Sequence, residues 1–176
     1  MHLLQAARIG GTLVAAALFG AGALSAQGRG TQAPPALVTP ADAEGFIVVT
    51  PEALAASFNT GTGRQRVLLG NPSQPGLYVI QLVWEPGSGS TPHTHNEARL
   101  INVLEGTWYV STGDAARTYN PDGTIPVTAG TFIYEPADGI HDDMSKTDRV
   151  VVQIMGIGPV RTTGLPHDTI APRARR

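Results

Sequence analysis

Between Leu77 and Gly158 the chain is a succession of short apolar runs, each cut off by a turn signal. Leu77 to Trp84 ends at Glu85-Pro86-Gly87, and Leu100 to Leu104 ends at Glu105-Gly106. Thr107 to Thr112 stops at Gly113-Asp114, and Arg117 to Asn120 runs into Pro121-Asp122-Gly123. Thr131 to Glu135 follows Ala129-Gly130, and Val150 to Met155 is closed by Gly156 and Gly158. Runs of this length are too short for amphipathic helices, and turn residues at this spacing describe an antiparallel sandwich or barrel. One short helix is expected ahead of them, over Thr50 to Phe58. Thr50 suits the N-cap, Pro51 the first helical position and Glu52 the positive end of the helix.

The chain has 176 residues, enough for one domain, and 41% of them are apolar, enough for a buried core. A formal net charge of −2 excludes a broadly basic, polyanion-binding surface, so no nucleic-acid partner is expected. Cysteine is absent, which excludes disulfides and thiolate metal sites; any metal must be held by nitrogen and oxygen.

The two ends read differently from the middle. A mildly basic start, a small-residue apolar run from Thr12 to Leu24 and Ser25-Ala26-Gln27 have the layout of a secretory signal over residues 1–26, cut after Ala26 or after Ala23. The run is too short and too broken by glycine for a stable membrane span. A periplasmic or secreted protein is therefore expected. Residues 27–41 read as a flexible linker, 42–163 as the folded domain and 164–176 as a flexible tail in which His167 is solvated.

Chemistry concentrates in His93-Thr94-His95, just after the turn-rich Pro86 to Pro92. In a strand, residues i and i+2 share a face, so the two imidazoles form half of a nitrogen-ligated metal site. Downstream lies Gly130-Thr131-Phe132-Ile133-Tyr134-Glu135-Pro136-Ala137-Asp138-Gly139-Ile140-His141. Gly87, His93, His95 and Gly106 fit the first motif of the cupin superfamily, G-x5-H-x-H-x3/4-E-x6-G. Gly130, Pro136 and His141 fit its second, G-x5-P-x-G-x2-H-x3-N. The chain thus resembles a cupin over about Val67 to Gly156.

The resemblance implies an all-β jelly-roll (double-stranded β-helix) barrel with a short N-terminal helix. It also implies a homodimer paired through edge strands, and one divalent metal held in the barrel by His93, His95 and His141. With nitrogen and oxygen ligands that metal is Zn, Fe, Mn, Ni or Cu. Fold alone does not fix activity. The expected activity is that of a dioxygenase-like or isomerase-like metalloenzyme on a small organic, anionic molecule. The alternative is a non-catalytic module that binds metal or a small ligand.

Three departures bear on the site. The first motif's glutamate position holds Arg99, the second motif's glycine position holds Asp138, and its asparagine position holds Ser145. The fourth ligand of the pattern is therefore missing. Glu97 is the substitute within reach, as metal ligand and general base, if the chain stays extended past His95; otherwise it is an exposed turn residue or a partner for Arg99. Arg99 either turns inward to hold an anionic substrate or turns outward to Glu97 or Glu105, and the outward arrangement is the plainer expectation.

Further pocket candidates are Gln81 and Gln153, each interrupting an apolar strand, and Tyr134 and Trp108 as wall residues. A buried Gln needs hydrogen bonds, so each glutamine either orients a ligand or satisfies the other. Asp142-Asp143 either orients the His141 ring or forms a solvated turn.

Overall fold

The computed structural model describes residues 37–57 and 64–169. The expected signal segment and most of the expected linker lie outside the described residues. No helix among the described residues is long and apolar enough to cross a membrane.

Helix α1, Pro51–Ser57, starts as its sequence demands: the Thr50 hydroxyl accepts from Ala53 N at 3.2 Å, and the Thr50 carbonyl takes the first helical bond, from Leu54 N, at 3.0 Å. Twelve strands follow: β1 Gln65–Leu69, β2 Gly76–Trp84, β3 His93–His95, β4 Arg99–Glu105, β5 Thr107–Thr112, β6 Thr118–Tyr119, β7 Ile125–Thr128, β8 Phe132–Glu135, β9 His141–Ser145, β10 Val150–Gly158, β11 Thr162–Gly164 and β12 Asp168–Thr169. Ten of them form two five-stranded sheets, ordered β1-β2-β10-β4-β8 and β11-β3-β9-β5-β7, and β12 pairs with β6. All pairings within the two large sheets are antiparallel. This is the jelly-roll barrel expected from the sequence.

The core follows the period of two. Tyr78, Ile80 and Trp84 of β2, Ile101 and Val103 of β4, and Val150, Val152 and Ile154 of β10 point inward and pack with Trp108 of β5. Gly106 joins β4 to β5 at φ 75°, and a Cβ there would collide with the Arg149 carbonyl oxygen. Glycine is the residue that meets both demands.

The ordered chain reaches beyond the boundaries read from the sequence. At the front, Val38 N donates to Val67 O at 2.9 Å, so the end of the expected linker pairs with β1. At the back, β11 and β12 place residues 162–164 and 168–169 in strand pairings that reach into the stretch expected to be a loose tail, whose residues 170–176 lie outside the described residues. His167 is half-buried there, its ring edge-on to Tyr119 at 5.7 Å and its Nδ1–H donating to Leu165 O at 2.9 Å. Polar residues in this stretch concealed strands that pair through backbone groups, which composition does not report.

Candidate metal centre

Strand β3 carries His93 and His95 on one face, and β3 pairs with β9 so that His93 stands directly opposite His141. The ring centroids of His93 and His141 are 4.1 Å apart; His95 lies 5.0 Å from the first and 5.3 Å from the second. One ligand atom from each of the three comes within 4.8 Å of the others.

The far nitrogens are tied down. His93 Nδ1–H donates to Thr91 O at 2.8 Å and His141 Nδ1–H to Gly139 O at 3.0 Å. His95 Nδ1 bonds the Thr162 hydroxyl at 3.1 Å. A carbonyl can only accept, so the first two rings must carry the proton on Nδ1 and leave Nε2 as a lone pair. His95 Nε2 is buried with no hydrogen-bond partner. Metal-binding histidines are oriented in this way, by a hydrogen bond from the nitrogen that does not touch the ion. The orphaned, buried Nε2 of His95, with ligand atoms of His93 and His141 close by, fits a metal ion, although Arg99 Nη2 also reaches His141 Nε2 at 3.5 Å.

The electrostatics favour the neutral form of His95 and His141, the form that binds a metal. Burial, reinforced by Arg99 and the two other imidazoles, pushes His95 down to about 3. Burial also lowers His141, against the opposing pull of Glu135.

Across the barrel, the other sheet supplies a charged pair. Arg99 is buried and points inward, on the same side of β4 as Ile101 and Val103. This corrects the expectation that it turns out to Glu97 or Glu105; Glu105 is instead held by Arg149 at 2.7 Å. The physical reason is a partner that sequence reasoning overlooked. Glu135 stands directly opposite Arg99 on β8 and is buried as well. Arg99 Nε donates to Glu135 Oε1 at 3.0 Å and Nη2 to Oε2 at 2.6 Å, a bidentate clamp. The same carboxylate lies 3.6 Å from His141 Nε2 and 4.0 Å from His95 Nε2. Glu135 shares the parity of Ile133, but Phe132 and Tyr134 between them are the larger apolar groups and point to the opposite face as the buried one.

The other named residues fall around this centre. Glu97 sits in the bend after β3, half-buried, within 3.4 Å of the Asn96 amide, and is not in the three-histidine cluster. The chain does not stay extended past His95: Asn96 turns to Pro159 and Arg161 instead.

Gln81 and Gln153 pair with each other at 3.4 Å, and Gln81 accepts from Arg66 Nη1 at 3.2 Å. They lie on the face opposite the inward Ile80, Leu82 and Ile154, and neither lines the two cavities beside the histidines. Tyr134 is 60% exposed and only borders a cavity, whereas Trp108 is buried in its wall. Asp142 and Asp143 are buried in β9, not in a turn. Asp143 faces the interior and accepts from the Ser90 hydroxyl at 3.0 Å; burial pushes its carboxyl up to about 6.

Two cavities flank the centre. One of about 380 Å³ is lined by His93, His95, Arg99, Tyr78, Trp108 and Asp143. A smaller one of about 200 Å³ reaches His141 and Glu135 through the mostly apolar Ile101, Val110 and Ile133.

The model of the ChrR cupin-like domain matches residues 45–161. The chain belongs to the ChrR cupin-like family. No curated protein matches the chain significantly. Among solved structures the chain is similar to a cupin 2 domain-containing protein from Halorhodospira halophila, with 18% identity, 57% of this chain and 68% of that one covered, and a TM-score of 0.46. It is also similar to the polyketide cyclase RemF from Streptomyces resistomycificus, with 23% identity, coverage of 59% and 72%, and a TM-score of 0.46. A cupin-2 domain containing protein from Shewanella frigidimarina gives 18% identity, coverage of 60% and 92%, and a TM-score of 0.43. Likeness of this degree carries no argument about chemistry, which rests on the residues above.

Proposed function

We propose that this cupin is an exported metalloenzyme that holds one divalent transition metal on His93, His95 and His141 and acts on a small, anionic organic molecule. The observation that carries the reading is the convergence of three imidazoles, each fixed through its other nitrogen, between two cavities: His93 and His95 on the wall of the 380 Å³ one and His141 on the wall of the 200 Å³ one. A bound metal would supply Lewis-acid or oxygen-binding chemistry at that wall. The chain's own residues do the rest. Arg99 lines the cavity and gives an anionic group a cation to face. Trp108 and Tyr78 wall off water. Asp143, held by Ser90, is the cavity carboxyl placed to exchange a proton with a bound molecule.

A non-catalytic ligand-binding module is the second reading. It is favoured by one observation: the Nε and Nη2 donors of Arg99 are already engaged by Glu135, which leaves less of the guanidinium for a substrate.

Metal analysis of the protein purified from the periplasm tests the first reading. Expected is one transition-metal ion per chain, and a melting temperature raised by roughly 8–15 °C at about a hundredfold excess of metal over its dissociation constant. His93→Ala should abolish both. No metal in the wild type, with His93→Ala melting unchanged, would overturn the proposal. Turnover by the metal-loaded protein separates enzyme from binding module.

A further inference from the structure

Position 99 has given up the carboxylate of the first motif for a guanidinium, yet a carboxylate stands at the centre all the same. We propose that Glu135 is the metal's acidic ligand, and that Arg99 and Glu135 are a charge exchange across one rung of the sheet. The inference rests on the three-histidine reading above and adds to it a fourth ligand from a strand that lies outside both sequence motifs' ligand positions.

Geometry is the first support. Donor atoms that share an ion at about 2.0–2.2 Å stand roughly 3.0–3.5 Å from one another. Glu135 Oε2 is 3.6 Å from His141 Nε2, and Oε1 is 4.0 Å from His95 Nε2, so the carboxylate stands beside two of the three rings; it lies outside the set of ligand atoms within 4.8 Å of one another, and joining them on one ion requires it to move toward His93. The second support is the vacant valence. A carboxylate has about four lone-pair sites, and Arg99 takes one on each oxygen. The remaining lone pairs are available, and the guanidinium, whose Nη2 also reaches His141 Nε2 at 3.5 Å, fixes the orientation of the carboxylate beside the rings.

Charge is the third. An unneutralised Arg99 against the imidazoles would repel a divalent cation; the Glu135 anion clamped to it offsets that charge. Register is the fourth. Arg99 and Glu135 are direct cross-strand partners with both side chains inward, so exchanging them keeps the pair and moves the carboxylate by one strand. Glu97, the nearer candidate in sequence, lies in the bend after β3 against the Asn96 amide, whereas Glu135 stands beside His95 and His141.

Titration with Co(II), followed by its visible absorption bands, reads both affinity and ligand set. Glu135→Gln should weaken Co(II) binding roughly tenfold or more and alter the band pattern. The exchanged variant, Arg99→Glu with Glu135→Arg, should hold Co(II) within a few-fold of the wild type. Should Glu135→Gln fold poorly because Arg99 is left buried without its partner, Arg99→Gln with Glu135→Gln carries the same test. Unchanged affinity and spectrum on loss of Glu135, or an exchanged variant as weak as Glu135→Gln, would overturn the proposal. A wild type that bound no Co(II) would overturn the three-histidine reading as well, which separates the two failures.

Discussion

Arg99 and Glu135 are the residues on which the interior turns. Each is less than a tenth exposed at its side chain, and their bidentate contact is the shortest ion pair among the described residues. A buried pair of this kind is weak evidence for stability, because desolvation offsets most of the attraction. Breaking it is another matter. Arg99→Met should destabilise the metal-free protein by about 3–5 kcal/mol, since it strands a carboxylate among neutral rings. The double variant Arg99→Met with Glu135→Leu should recover most of that loss. Chemical denaturation of the four proteins of the cycle in chelator gives the coupling directly; an additive cycle would show that the pair is not the interacting unit.

Parity carries the inward position of Arg99, since Ile101 and Val103 mark its side of β4 as the buried one, but with Glu97 and Glu105 as the partners in view the outward position is the plainer expectation, and it is wrong. Glu135 was hidden by the opposite signal, because the exposed Phe132 and Tyr134 flank the buried Ile133-side positions of β8.

At the scale of elements, turn chemistry explains both what the motifs predict and where this chain departs from them. An antiparallel sandwich or barrel was readable because the strands are short and the turns are marked by residues such as Gly106 and Gly130, at φ 75° and 92°; the jelly-roll form followed only from the resemblance carried by the two motifs. Strands β11 and β12 were not readable, because Thr162 to Thr169 pairs through backbone and offers no apolar period. The second motif's glycine position illustrates the middle case. Asp138 stands there at φ 59°, the left-handed conformation the motif's glycine would adopt, while its N–H donates to His95 O at 2.7 Å.

The backbone requirement has therefore been kept and the residue changed, which aspartate tolerates better than most. Asp138→Gly should leave stability within about 1 kcal/mol of the wild type, and Asp138→Val should lower it by about 1–2 kcal/mol. Because the Asp138 N–H holds the backbone of His95, the valine variant should also weaken metal binding while the glycine variant does not. Equal stability of the two variants would mean that the left-handed turn is not what this position supplies.

At the scale of the whole molecule, the sheet that carries the Arg99–Glu135 rung has β8 as an edge strand, with no further strand paired to it among the described residues. Strand β8 is its last strand, and Phe132 and Tyr134 on that strand are 57% and 60% exposed, with Leu100 of the neighbouring strand 40% exposed beside Tyr134. An uncovered edge with an apolar outer face invites pairing with another chain, and proteins that remain soluble cover it. A second copy, joined through β8, is the arrangement expected to do so, which makes the dimer an extension of the same strand that presents Glu135 to the interior. Light scattering at micromolar concentration should give twice the chain mass. Phe132→Glu with Tyr134→Glu should give a monomer of unchanged circular dichroism, because both side chains point away from the core. If edge pairing also steadies β8, that monomer should bind metal more weakly than the dimer although no ligand has been touched; a wild type that is monomeric throughout would remove both expectations together.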